Sequence, residues 1–101
     1  MSLPLAFHAQ VRDEVDEAYA WYQQRAGLGE DFLSAVQEVL DRIQQNPQMY
    51  GVVYRDVRRG LLRRFPYGVF LTVEGDLVTV LAVLHLHRHP GTWKRTRPIV
   101  E

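Results

Sequence analysis

Cysteine is absent from this chain of 101 residues, which excludes disulfides and thiolate metal sites. Serine occurs only as Ser2 and Ser34, and neither lies in the glycine-rich turn that exposes a nucleophilic serine. No apolar run approaches the roughly 18 residues that span a membrane, and residues 1–10 lack the basic start and apolar centre of a secretory signal. We therefore expect a cytoplasmic protein that contacts no membrane and holds no metal or cofactor.

Lysine is nearly absent too, with Lys94 alone, so arginine carries almost all of the positive charge. Residues 1–54 hold eight acidic residues and three arginines, a net charge of −5. Residues 55–101 hold nine basic and four acidic residues, a net charge of +5. This division indicates either a basic face offered to an acidic partner or two halves that neutralise each other where they meet.

Two stretches of the first half have helical periodicity. Their apolar stripes are Val11, Val15, Ala18 and Tyr22 in the first stretch and Phe32, Val36, Val39 and Ile43 in the second. Residues 26–29 contain two glycines and separate the stretches, and Asn46–Pro47 ends the second one. The pattern predicts an antiparallel helix pair whose second helix has roughly 16 to 18 residues.

Extended segments flank the predicted helix pair. The candidate strands are Leu3–Phe7, Val57–Phe65, Tyr67–Val73 and Leu77–Leu86. The last is nearly all apolar, as in a strand covered on both faces, and Pro66 indicates an edge or a bend. The order β-α-α-β-β-β predicts an α+β fold, a single small domain over residues 1–101. Its antiparallel helix hairpin would pack on one face of a mostly antiparallel twisted sheet.

Four arginines stand in two pairs on the second predicted strand, Arg58–Arg59 and Arg63–Arg64. Guanidinium groups bind carboxylates or phosphates through paired hydrogen bonds, so an acidic protein segment and RNA are both candidate partners. A solvated strand edge, where charge prevents aggregation, is the alternative. Because Arg88 and further bases follow in the same half, we expect this stretch to form a docking edge.

Histidines alternate at the end of the last predicted strand, at His85, His87 and His89. In a strand the first two would point to the same face, where a histidine can transfer a proton near neutral pH. A metal site would need a further ligand, and no acidic residue lies near in the sequence. A strand end with solvated or core histidines is the alternative.

Several motifs follow one another in a distinctive order. They are Ala18–Tyr22, Gly29–Phe32, Val57–Arg59, Arg63–Tyr67 and Val80–His85, followed by Arg88, Pro90 and Trp93. Together they resemble the RelE/ParE toxin superfamily of bacterial type II toxin–antitoxin modules, over essentially the whole chain. The arginine motifs and the ending are similar to the ParE-like, plasmid-stabilisation branch. The resemblance implies two helices on a twisted sheet and a cognate antitoxin that wraps and neutralises the toxin.

The resemblance implies one of two activities. ParE-like members inhibit DNA gyrase without catalysing a reaction, whereas RelE-like members are ribosome-dependent endoribonucleases that cut mRNA. The ribonucleases tend to be strongly basic, but this chain has a net charge of zero and no lysine in the second predicted strand. Gly68 follows Tyr67, where an arginine is common in the ribonucleases. The sequence therefore favours a ParE-like toxin, with the RelE-like ribonuclease and a non-toxic antitoxin-binding module as alternatives.

The resemblance also directs attention to particular side chains. We expect an acidic, amphipathic antitoxin segment to bind the groove between helices and sheet and the arginines of the second strand. The predicted partner-binding residues are Arg58, Arg59, Arg63, Arg64 and Trp93. If the chain is a ribonuclease, acting on mRNA in the ribosome, the predicted catalytic residues are His85, His87, Arg88 and Tyr67.

Overall fold

The chain folds as two helices on one face of a five-stranded sheet in a computed structural model, which describes residues 2–87. The elements are β1 (Leu5–Phe7), α1 (Val11–Ala26), α2 (Gly29–Gln45), a 3-10 turn (Pro47–Met49), β2 (Val52–Tyr54), β3 (Val57–Leu61), β4 (Tyr67–Glu74) and β5 (Leu77–His85). The strand order is β1-β5-β4-β3-β2, with β1 parallel to β5 and the other neighbours antiparallel. The predicted α+β class, with a mostly antiparallel sheet, is confirmed.

The predicted helix pair is confirmed as well. α1 ends at Ala26 because Gly27 adopts a left-handed conformation (φ 66°), and its N–H donates to the carbonyl of Gln23. α2 follows directly and has 17 residues, ending at Gln45 before Asn46–Pro47. Within residues 2–87, neither helix combines the length and the apolar character needed to cross a membrane.

Two predictions about the strands are wrong. β2 was not predicted, because a three-residue strand with a register irregularity is too short to show alternation. β3 ends at Leu61 rather than Phe65, since the chain bends over residues 62–66 and Arg64 takes a left-handed conformation (φ 71°). Pro66 was predicted to mark either an edge or a bend, and it lies in this bend. β3 pairs with β2 and with β4, so the arginine stretch does not form an edge of the sheet.

A bulge in β5 sets which residues face the helices. Phe70 of β4 pairs with Ala82 and Leu71 pairs with Val80, so Leu81 is the extra residue. The bulge reverses the alternation of side chains, and both faces of β5 are buried. Val78, Val80 and Val83 join the core beneath the helices, while Leu81, Ala82 and Leu84 join a second cluster with Phe70 and Val57.

The core between helices and sheet centres on the aromatic ring of Phe32, which is fully buried. Its centroid lies 5.5 Å from that of Tyr22, 5.4 Å from that of Phe65 and 5.0 Å from that of Tyr67. These neighbours belong to α1, to the bend before β4 and to β4 itself. One side chain of α2 therefore ties together both helices and the sheet.

Phe32→Ala is expected to lower the free energy of unfolding by about 3–5 kcal/mol, because it removes a fully buried ring and leaves a cavity. Urea unfolding followed by circular dichroism measures this loss. Leu77→Ala is the matched control, since Leu77 is 43% exposed and its truncation should change stability by less than about 0.5 kcal/mol. A loss below about 1 kcal/mol for Phe32→Ala would contradict the central position of this ring.

Candidate functional site

Arg58 is engaged in hydrogen bonds within the chain. Its Nη1 donates to the carbonyl of Tyr50 at 2.6 Å and to that of Gln48 at 3.4 Å. Its Nη2 donates to Oε1 of Gln48 at 2.9 Å. These bonds fasten the segment between the 3-10 turn and β2 onto β3. Arg58 therefore supports the fold in this structure, and few of its donors remain for a partner.

Arg59 and Arg64 also contact neighbouring residues. The aliphatic part of Arg59 packs beside Gly68, where a Cβ atom would lie 3.2 Å from both its Cγ and its Cδ. Arg64 lies with Nη1 3.6 Å from Oδ2 of Asp31, and its guanidinium is 5.6 Å from the ring centroid of Phe65. This ion pair joins the basic second half of the chain to the acidic first half, but both side chains are more than half exposed, so it stabilises the fold little.

Arg63 differs from Arg58 and Arg64. It is exposed, and within residues 2–87 its side chain makes neither a hydrogen bond nor an ion pair. It borders a cavity of about 240 Å³ between α2 and the bend after β3, which we call the loop cleft. The loop cleft is lined by Asp31, Ser34, Ala35, Glu38, Arg63, Arg64 and Phe65.

A larger cavity of about 580 Å³ lies between the two helices, and we call it the interhelical groove. Aliphatic side chains dominate its lining, and Arg12 and Asp16 form an exposed ion pair of 3.9 Å at its rim. Its lining residues are Phe7, His8, Ala9, Val11, Arg12, Val15, Asp16, Leu33, Val36, Gln37, Leu40 and Val83. Phe7 is 50% exposed, so part of its ring adds accessible apolar surface to the groove.

Glu14 is a half-buried acid that fixes α1 against the bulge of β5. Its Oε1 accepts a hydrogen bond from the Val83 N–H at 2.9 Å, and Gln10 Nε2 donates to the Leu81 carbonyl at 3.2 Å. Burial raises the pKa of the Glu14 carboxyl, and hydrogen bonds from Val83 and Gln10 oppose this rise. Sequence reasoning missed this role. The sequence feature that could have predicted it is the position of Glu14 one helical turn before Ala18, on the buried side of α1.

The structure brings together three of the four residues predicted for a ribonuclease. Tyr67 and His85 are register partners with ring centroids 5.2 Å apart, and the rings of His85 and His87 are 5.9 Å apart. The backbone N–H of His87 donates to Nδ1 of His85 at 3.1 Å. β5 ends at His85, so His87 lies in a turn rather than on the strand. Arg88, like Trp93, lies outside the described residues.

Tyr67 belongs to the core rather than to the surface. Only 8% of it is exposed, and its ring also packs against those of Tyr22 and Phe32. It would have to leave this packing to stack on a nucleotide base. Among residues 2–87, no three histidine or acidic side chains converge in a way that holds a metal ion.

Comparison with known proteins identifies a family and a similar fold. Residues 5–90 match the family described as ParE toxin of type II toxin-antitoxin system, parDE. A solved chain of the chromosomal ParDE TA system from P. aeruginosa has a similar fold, with a TM-score of 0.67 and 22% identity. The alignment covers 85% of this chain and 98% of that one. No curated protein gives a significant match.

Arg58→Ala is expected to lower the free energy of unfolding by about 1–3 kcal/mol, because it removes a charged donor from three backbone and side-chain acceptors. Arg63→Ala, the matched control, should change it by less than about 0.5 kcal/mol. Thermal and urea unfolding of both variants measure the difference. Equal losses would contradict the division of these arginines into structural and free side chains.

Glu14→Gln should change how stability depends on pH. Because the pKa of Glu14 is raised on folding, the natural chain loses stability as pH rises from the unfolded pKa, about 4.3, through the higher folded pKa. Glutamine keeps an acceptor for the Val83 N–H but has no proton to lose. The stability of the variant relative to the natural chain should therefore increase over that interval and then level off.

Urea unfolding of both proteins between about pH 3.5 and 8 tests this sign, since the interval starts near the ordinary glutamate pKa. Glu74→Gln is the control, because Glu74 is exposed at the end of β4. A stability difference between Glu14→Gln and the natural chain that is constant with pH, or that falls as pH rises, would contradict the burial of an ionised Glu14.

Proposed function

We propose a function for this chain from the family to which it belongs, the ParE toxin family of type II toxin–antitoxin systems, whose match spans residues 5–90. On this proposal it acts in the cytoplasm by binding and inhibiting DNA gyrase, and a cognate antitoxin neutralises it. On this account the protein works through binding surfaces and catalyses no reaction.

The observation that carries the antitoxin part is the interhelical groove. It is open, lined mainly by aliphatic side chains, and follows α1 from Val11 to Asp16 and α2 from Leu33 to Leu40, which is about one and a half and two helical turns. An amphipathic segment could place successive apolar anchors in such a groove, as helices do in other protein–protein complexes. A disordered segment that folds on binding would gain its affinity from these anchors.

The surroundings of Tyr67 support a binding protein over a ribonuclease. Catalysis on RNA needs side chains that reach the substrate, yet Tyr67 is buried in the aromatic core and Nδ1 of His85 accepts a backbone hydrogen bond. The net charge of zero also gives little general attraction to a ribosomal site rich in phosphate. These observations favour gyrase inhibition over mRNA cleavage.

Induced expression in bacteria, with DNA supercoiling and mRNA integrity measured in the same culture, tests this function. We expect loss of supercoiling, intact mRNA, and rescue by co-expression of the neighbouring small reading frame. The double variant His85→Ala/His87→Ala should remain toxic if its fold is preserved. If the natural chain causes cleavage of mRNA and the double variant does not, the protein is a ribonuclease. A stable antitoxin complex without toxicity would identify a non-toxic binding module.

Phe7→Asp is expected to weaken antitoxin binding at least about tenfold, because it places a charge among the apolar side chains of the interhelical groove. Leu77→Asp is the matched control, since Leu77 is similarly exposed, at 43% against 50% for Phe7, but lies outside the groove. Isothermal titration calorimetry with the purified antitoxin measures both affinities. Equal affinity of the two variants would place the antitoxin elsewhere.

A further inference from the structure

The loop cleft holds one positive charge that nothing within the described residues balances. Arg64 pairs with Asp31 at 3.6 Å, and Glu38 pairs with Arg42 at 3.7 Å, so both acids near the cleft already have cations beside them. Arg63 has no such partner within residues 2–87. The two acids and two arginines of the lining sum to zero, and Arg42 beside Glu38 brings the total to +1, so that Arg63 is the cation of the cleft without an acid paired to it.

The lining of the cleft defines the size and chemistry of its ligand. Its volume of about 240 Å³ is large enough for a single side chain. Ser34 contributes a hydroxyl that can donate a hydrogen bond, and Ala35 and Phe65 contribute apolar atoms. Arginine binds a carboxylate with two parallel hydrogen bonds. An aspartate or glutamate side chain combines the charge and the short apolar stem that such a cleft accepts.

The bend that carries Arg63 is held in an uncommon conformation. Its neighbour Arg64 has φ 71°, a left-handed conformation that is unfavourable for a residue other than glycine. Leu62 and Phe65 on either side are buried in the core and fix the ends of the bend. Arg63 is thus presented from an anchored segment, which lowers the entropy lost when it binds a partner.

The loop cleft and the interhelical groove share one helix. Leu33, Val36, Gln37 and Leu40 of α2 line the groove, while Asp31, Ser34, Ala35 and Glu38 of α2 line the cleft. A helix with its side chains is about 10–12 Å wide, and an extended chain advances about 3.3 Å per residue. A segment leaving the groove would therefore cross α2 in about three or four residues and arrive at the cleft.

We infer that the loop cleft receives a carboxylate side chain of the cognate antitoxin through Arg63, a short distance along the chain from the anchors that occupy the interhelical groove. This inference rests on the proposed neutralisation by an antitoxin. Arg63 supplies specificity and register at this site, while Arg58, Arg59 and Arg64 keep their contacts within the toxin.

The test is titration of the toxin with the purified protein from the neighbouring reading frame. Arg63→Glu should weaken binding about tenfold or more at low salt and less at high salt, because the lost contact is a charge pair at the surface. Arg55→Glu is the matched control, with the same charge change on an exposed arginine outside both cavities, and should alter affinity less than about threefold. Circular dichroism melts verify that both variants fold.

A charge reversal on the antitoxin identifies the partner side chain. Each of its acidic residues is replaced singly by lysine, and one replacement should restore binding to Arg63→Glu while weakening binding to the natural toxin. Equal binding by the natural toxin and Arg63→Glu would overturn this site alone. If the natural toxin does not bind the antitoxin, both the carboxylate site and the proposed neutralisation are overturned. If Arg63→Glu loses gyrase inhibition while its antitoxin binding is unchanged, the cleft binds gyrase instead.

Discussion

The bulge at Leu81 of β5 is the constraint on which the remaining structure depends. An extra residue in a strand leaves backbone groups outside the regular ladder, and they must be paired because they are buried. Gln10 and Glu14 of α1 pair with the Leu81 carbonyl and the Val83 N–H. α1 is therefore held in one position on the sheet, and its residues Val11, Val15 and Asp16 line one side of the interhelical groove.

Electrostatics in this protein work through local pairs rather than through a basic face. The sequence divides into halves of −5 and +5, but the arginines of the second half have different tasks. Arg58 donates to acceptors before β2 and Arg64 faces Asp31, whereas within residues 2–87 the guanidinium groups of Arg59 and Arg63 make neither a hydrogen bond nor an ion pair. Arg59 packs its aliphatic part beside Gly68, and Arg63 is the more exposed of the two. The ion pair between Arg64 and Asp31 joins the two halves, as one interpretation of the charge division predicted, and a basic face for an acidic partner stays a prediction.

Sequence patterns predicted the helix pair, the two long strands and the α+β class because these elements have long periodic stripes and strong stop signals. They did not predict β2 or the early end of β3, where three-residue pairing and a left-handed Arg64 depend on tertiary contacts. The role of Glu14 depends on the bulge at Leu81, and the nearly all-apolar sequence of β5 contains no pattern that predicts a bulge. Which arginines are engaged within the fold could not be predicted, because all four belong to similar motifs and only the fold separates them.

The central claim is that the protein acts through the surfaces on either side of α2. Hydrogen–deuterium exchange of the toxin with and without its antitoxin tests it most directly, since exchange locates contact and local ordering along the chain. We predict that binding slows exchange in residues 11–16, 33–40 and 62–66, which border the interhelical groove and the loop cleft. Slower exchange confined to the ends of β4 and β5 around Tyr67 and His85, with the α2 segment unchanged, would contradict the account.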